Sequence, residues 1–179
     1  MQTFPNLTLV TGGAASGKSR WAEKLVKHSD RDQVYIATAQ AYDAEMAAKI
    51  AQHKSDRGPN WRTIESPLEL GATLGANSGS EVILVDCLTM WLSNHLMAGN
   101  QVSDQVDGLL AQLAKIKSPV VLVTNEVGAS VVPDNPLARR FQREQGHLNQ
   151  RIAEAADLVV AVISGLPLPL KGSIPAGLT

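Results

Sequence analysis

The chain has 179 residues, 44% of them hydrophobic and 18% charged, with a formal net charge of −1. That is the composition of a globular chain long enough to bury a real core, and it excludes an extended disordered segment. Aromatic residues make up only 4% and there is no basic excess, which argues against base stacking along a strand and against nucleic-acid binding driven by counterion release.

Residues 1–10 carry no basic region and run into a strand-like segment, so they do not read as a signal peptide. Residues 7–11 are the first strand candidate. A helix is expected over 18–28, a second strand over 34–38 and a second helix over 43–57. Further strands are expected over 82–86, 120–124 and 158–163, and further helices over 88–97, 102–117 and 136–156. Gly146 is a weak point inside the last helix. Most strand candidates are apolar on both faces, as in a parallel sheet covered on both sides by helices. Turn residues cluster at 30–32, 57–60, 76–80 and 133–136. Residues 165–179, rich in Gly, Pro and Leu without helical period, are expected to form a loosely ordered tail. Arg139, Arg140 and Arg143 form a local basic group, equally readable as a solvated helix face. No apolar stretch approaches the ~18 residues of a membrane span. Cys87 is the single cysteine, so no internal disulfide can form, and a cytoplasmic protein is expected.

Gly12-Gly13-Ala14-Ala15-Ser16-Gly17-Lys18-Ser19 matches G-x-x-x-x-G-K-[ST] between a strand candidate and a helix candidate, the context the motif requires. Glycines let successive N–H groups point at phosphate oxygens, and the helix N-terminus adds partial positive charge facing the same oxygens. Lys18 can reach the β- and γ-phosphates of ATP or GTP, and the Ser19 hydroxyl can ligate Mg²⁺. Val82–Asp86 is an apolar run ending in an acid, which places Asp86 as the second Mg²⁺ partner, directly or through water. Cys87 after it reads as a small buried residue. Within 43–57, Met46, Ile50, His53 and Arg57 share one helical face. Two readings of His53 stand: a half-buried histidine at the edge of a core stripe, or a nucleophile that takes a nucleotidyl group, with Lys54 and Arg57 holding phosphate charge. His28, His95 and His147 read as surface or cap residues. The residues alone therefore fit a P-loop kinase for some small alcohol or nucleotide, or a nucleotide-dependent regulatory ATPase or GTPase.

Several stretches together resemble one family: 11–20 (TGGAASGKSR), 35–40 (YIATAQ), 43–53 (DAEMAAKIAQH), 61–65 (WRTIE), 84–94 (LVDCLTMWLSN), 121–128 (VLVTNEVG) and 146–153 (GHLNQRIA). Val132-Pro133 also fits. In this order they resemble the bifunctional adenosylcobinamide kinase/adenosylcobinamide-phosphate guanylyltransferase family of cobalamin biosynthesis. The resemblance implies an α/β P-loop NTPase fold of the RecA-like kind, in a single domain over 1–179. It implies phosphorylation of the aminopropanol hydroxyl of adenosylcobinamide with ATP or GTP. Transfer of GMP from GTP to adenosylcobinamide phosphate then passes through a guanylyl-histidine, matched here by His53. It also implies nucleotide contacts by Thr38, Ala39 and Gln40, by Lys54, Ser55, Asp56 and Arg57, and nucleotide or metal contacts by Glu65 and Asp86. A homotrimer is implied as well. Read alone, Glu65 is an ordinary loop acid. Asn125 and Glu126 follow a buried strand and face the active-site edge of a parallel sheet; their roles stay open. The chain departs from the family at Ala15, where arginine is usual, and at Gln142-Arg143-Glu144, which replaces an Arg-Asp pairing.

Overall fold

A computed structural model describes residues 4–40, 58 and 60–178. The strands are β1 (Leu7–Gly12), β2 (Gln33–Ala37), β3 (Trp61–Glu65), β4 (Val82–Asp86), β5 (Val120–Asn125), β6 (Leu158–Ile163) and β7 (Leu166–Lys171). The described helices are α1 (Lys18–Lys27), α2 (Leu70–Ala76), α3 (Leu88–Met97), α4 (Val102–Leu113) and α5 (Pro136–Ala155). The expected helix over 43–57 lies outside the described residues.

The strands form one sheet in the order β3-β2-β4-β5-β1-β6-β7. The pairings are parallel except β6 with β7. Parallel pairing requires crossover connections, so helices lie over the faces and the central strands are apolar on both sides. On one face Val10, Leu84, Val121, Val123, Val160 and Val162 pack with Trp21, Ala22, Leu25 and Val26 of α1. On the other, Leu9, Ile83, Val85 and Leu122 pack with Leu74 of α2, Trp91 of α3, Leu109 of α4 and Ile152 of α5. Among the described residues no helix is long and apolar enough to cross a membrane.

Three elements differ from the sequence expectation. Trp61–Glu65 is a strand at the sheet edge; only Trp61 is buried in it, so it lacks the apolar run of a central strand. The segment 70–76 forms a helix too short, and too rich in Gly, to show a period. The expected loose tail instead supplies β7, whose Leu166, Leu168 and Leu170 are exposed. A Leu-Pro alternation has the period of a strand, and an edge tolerates proline because one side of it needs no ladder donors. Beyond β7, Ile174 and Leu178 pack against the α1 cluster, and the Trp21 indole donates to Leu178 O at 3.2 Å. Helix α5 runs unbroken through Gly146. It starts at Pro136, and the Asn135 side chain accepts from Leu137 N at 2.7 Å and Ala138 N at 3.3 Å, a side-chain cap with proline in the first turn.

Candidate active site: the phosphate loop and the carboxyl edge of the sheet

Gly12 ends β1 and Lys18 opens α1, so the G-x-x-x-x-G-K-S segment is a strand–loop–helix turn. Ser16 N donates to Gly13 O at 3.3 Å, and Trp21 N donates to Gly17 O at 3.0 Å. Gly17 caps α1 with φ 92° and offers no side-chain bond to the first helical amides, which leaves those N–H groups for an anion. The tightest position is Gly12. A Cβ there would lie 2.5 Å from Ser16 Oγ and 2.6 Å from Val162 O. Ala15 has φ 56° without being glycine, a strained conformation of the kind that clusters at ligand clamps. Lys18 Nζ donates to Gly13 O at 3.0 Å, which lays the ammonium along the loop. From the β6–β7 turn, Gly165 N donates to Ser16 O at 2.9 Å and braces the loop from outside.

The pleat decides which residues share the loop's face. Side chains alternate along a strand, and Val10, Trp61, Leu84 and Val123 belong to the cluster around α1. Two residues after Val10, Leu84 and Val123 come Gly12, Asp86 and Asn125, and four after Trp61 comes Glu65. All four lie at the carboxyl ends of their strands on the α1 side. Register joins them laterally: Ala37 pairs with Glu65 on one side and with Asp86 on the other, and Gly12 pairs with Asn125. Glu65 therefore ends a strand rather than sitting in a loop.

Thr38 is fully buried. Its hydroxyl donates to Cys87 O at 2.6 Å and accepts from Cys87 N at 2.9 Å, and its carbonyl accepts from Asn94 Nδ2 at 2.8 Å. This clasp fixes the residue directly after Asp86. Burial, reinforced by the charge of Asp86, pushes the Cys87 thiol up to about 11, so it stays protonated at neutral pH. Ala39 and Gln40 continue from the clasp and are half-buried. His53, Lys54, Ser55, Asp56 and Arg57 lie outside the described residues.

On the far face, a polar cluster locks the end of β5. Thr124 Oγ1 donates to Asn149 Oδ1 at 2.7 Å, Gln145 Nε2 donates to Thr124 Oγ1 and to Asn149 Oδ1, each at 2.9 Å, and Asn149 Nδ2 donates to Asn125 O at 3.1 Å. Thr89 Oγ1 accepts from Asn125 N at 2.8 Å. Sequence reasoning missed Thr89, Gln145 and Asn149 as supports. The available signal was that Gln145 and Asn149 fall on the helical stripe of Leu148 and Ile152, where polar residues need buried partners.

His95 is also buried, contrary to a surface assignment. Its Nε2 lies 3.2 Å from Leu68 O, its Nδ1 2.9 Å from Asn100 Nδ2, and its ring stacks edge-on against Trp91 at 4.7 Å. The amide hydrogen on Asn100 makes Nδ1 the acceptor and Nε2 the donor. Burial holds the His95 pKa below its ordinary value.

A mostly parallel sheet with a G-x-x-x-x-G-K-S turn at its carboxyl edge, and an acid ending a strand on the same face, defines a P-loop nucleotide-binding protein of RecA-like fold. The chain belongs to the cobinamide kinase / cobinamide phosphate guanyltransferase family, whose model matches residues 8–170. It is 46% identical over 167 residues to the bifunctional adenosylcobalamin biosynthesis protein CobP of Pseudomonas aeruginosa, covering 92% of this chain and 96% of that one. It is 42% identical over 182 residues to the CobU protein of the same description from Salmonella typhimurium, covering 92% and 99%. Among solved structures, an ATPase from the type III secretion system of pathogenic bacteria superposes with a TM-score of 0.57 over 92% of this chain and 56% of that one. Its 10% identity carries the fold alone.

Proposed function

We propose that this chain phosphorylates adenosylcobinamide with ATP or GTP and then transfers GMP from GTP to the resulting phosphate. The observation that carries the reading is the complete phosphate loop in register with Asn125, with Asp86 on the same sheet face, in a chain of this family. In the first step the acceptor hydroxyl attacks the γ-phosphorus. Backbone amides of residues 13–19 and the Lys18 ammonium hold the β- and γ-phosphates, so catalysis is mostly positioning and electrostatics. Ser19 and Asp86 supply oxygen donors of the hard type, and no group of three or more His, Cys, Asp or Glu side chains that could hold a metal exists among the described residues. Such a set suits Mg²⁺, which is held by one or two protein oxygens together with substrate phosphates, and which neutralises their charge when bound. Thr38 serves this site by fixing the residue after Asp86, while Ala39, Gln40 and Glu65 border the nucleotide.

In the second step an imidazole nitrogen of His53 bonds to the GTP α-phosphorus while the bond to the α–β bridging oxygen breaks and pyrophosphate leaves. An oxygen of adenosylcobinamide phosphate then displaces the imidazole, giving adenosylcobinamide-GDP and regenerating free His53. Lys54, Ser55, Asp56 and Arg57 accompany it as nucleotide contacts, by the family resemblance. The same resemblance supports a homotrimer, while the chain length supports one nucleotide-binding domain and the single cysteine a cytoplasmic location. Incubation with GTP labelled at the α-phosphate leaves acid-labile label on the wild-type chain and none on His53→Ala, which also loses guanylyl transfer. Label retained by the variant would move the nucleophile elsewhere.

A further inference from the structure

Helix α3 begins at Leu88, two residues after Asp86, so it continues directly from β4. Asn94 lies in its second turn and is buried. A carboxamide nitrogen carries two hydrogens, and here they go to carbonyls from two different strands. Nδ2 donates to Thr38 O at 2.8 Å and to Pro67 O at 3.0 Å. Thr38 directly follows β2, and Pro67 comes two residues after β3. The ladder between these strands runs as far as Ser66 N, which donates to Ala37 O at 2.8 Å. Beyond it neither Thr38 O nor Pro67 O meets a backbone amide among the described residues. Asn94 therefore supplies the tie where strand pairing stops. Its neighbours on the helix do not duplicate it. Trp91 Nε1 and His95 Nε2 both bond to Leu68 O, at 3.0 and 3.2 Å, on the β3 side alone. Thr89 Oγ1 holds Asn125 N at 2.8 Å on the other flank.

What Asn94 joins decides what it does. Glu65 ends β3 and Asp86 ends β4, with β2 between them in register with both. The ends of β2 and β3 are thus referred to one helix, and that helix starts from the end of β4. Thr38 closes the loop of contacts, because its hydroxyl clasps Cys87 beside Asp86. A buried polar group whose donors are satisfied across segments rigidifies what it connects. We propose that Asn94 is a positioning residue that fixes Glu65 relative to Asp86 at the edge of the nucleotide site. The inference rests on the site and the phosphoryl transfer proposed above. These bonds of Asn94 are to backbone, so it acts on Glu65 through the chain that carries it. Misplacement of such groups by about 1 Å costs on the order of 10²-fold in rate.

The test measures calorimetric binding of the β,γ-imido analogue of ATP, in Mg²⁺, to wild type, Asn94→Leu, Glu65→Ala and the double variant, each shown to be folded by its urea transition. Leucine keeps the approximate volume of the side chain and removes both donors. Asn94→Leu is expected to weaken binding about fivefold or more and to lower kcat/KM for cobinamide phosphorylation by roughly 10²-fold. Val106→Ala, a core change on α4, lowers the urea midpoint and leaves both values within about twofold of wild type. Because Asn94 works by placing Glu65, Glu65→Ala costs less affinity in the Asn94→Leu background than in wild type. Costs that simply add, or an Asn94→Leu chain that is less stable yet binds as wild type does, overturn the inference. Should Asn94→Leu fail to fold, Asn94→Ser, whose hydroxyl can serve one carbonyl, carries the same comparison. A wild-type chain that binds the analogue but leaves cobinamide unphosphorylated would sink the proposed activity, while the binding cycle would still decide the place of Asn94.

Discussion

Replacing Thr38 by valine removes one oxygen and nothing of comparable size, so it isolates the clasp beneath Asp86. The hydroxyl makes two buried hydrogen bonds to one residue, at 2.6 Å to Cys87 O and 2.9 Å from Cys87 N. Valine leaves that amide without its acceptor in a site closed to water, at a cost of about 1–3 kcal/mol for the stranded donor. The Cys87 carbonyl keeps a donor in Trp91 N at 3.2 Å, so the stranded amide carries most of the cost. In a chain of this length each kcal/mol lowers Tm by roughly 2–4 °C. Thr38→Ser keeps the oxygen and loses a buried methyl, about 1 kcal/mol of transfer energy. The assay is urea unfolding of the three proteins, with the Mg²⁺ concentration for half-maximal phosphorylation measured beside it. Thr38→Val is expected to be the least stable and to need more Mg²⁺, with Thr38→Ser between it and wild type. If valine and serine were equally stable while valine alone raised the nucleotide KM, Thr38 would be a direct nucleotide contact and the clasp argument would be wrong.

Adjacent glycines of the phosphate loop should behave differently. Gly12→Ala forces a methyl against Ser16 Oγ and the Val162 carbonyl and is expected to destabilise by about 1–3 kcal/mol in urea, whereas Gly13→Ala meets nothing within 4 Å and should stay within about 0.5 kcal/mol of wild type. The pH dependence of stability carries the mark of His95. Its folded pKa lies below the unfolded value of about 6.5 because burial disfavours the charged ring, so the unfolded chain takes the proton first. This contribution is fully present above pH 6.5 and is lost as pH falls from there through the folded pKa. Urea midpoints between pH 8 and 5 should fall more steeply in wild type than in His95→Gln.

Much of the site was readable because it depends on local order. The phosphate loop needs only a spacing and two flanking elements, and central strands announce themselves by being apolar on both faces. Asp86 followed from its place after such a run. What escaped depends on neighbours distant in sequence. Trp61–Glu65 sits at an edge, so its burial is one-sided and Glu65 passed for a loop residue. The clasp of Thr38 on Cys87 follows only from the pairing of β2 with β4, which nothing local announces. Gln145 and Asn149 were hidden by being polar on a helix, where a solvated face is the usual reading, and their partners lie on β5. His95 was misread for the same reason: the carbonyl it meets belongs to a segment 27 residues earlier.

The strand that leads into the phosphate loop is made first and completed last. Leu7–Gly12 pairs on one side with residues 120–125 and on the other with residues 158–161. A ribosome releasing this chain therefore exposes the nucleotide motif long before the partners that shape it exist. Non-local pairing of this kind slows folding. Because Ser16 is also braced by Gly165, a nascent chain, or one cut short before the last hairpin, carries the motif as text without the grip. Nucleotide binding thus reports that the whole sheet has closed, and bound nucleotide in turn favours the finished fold over every incomplete one.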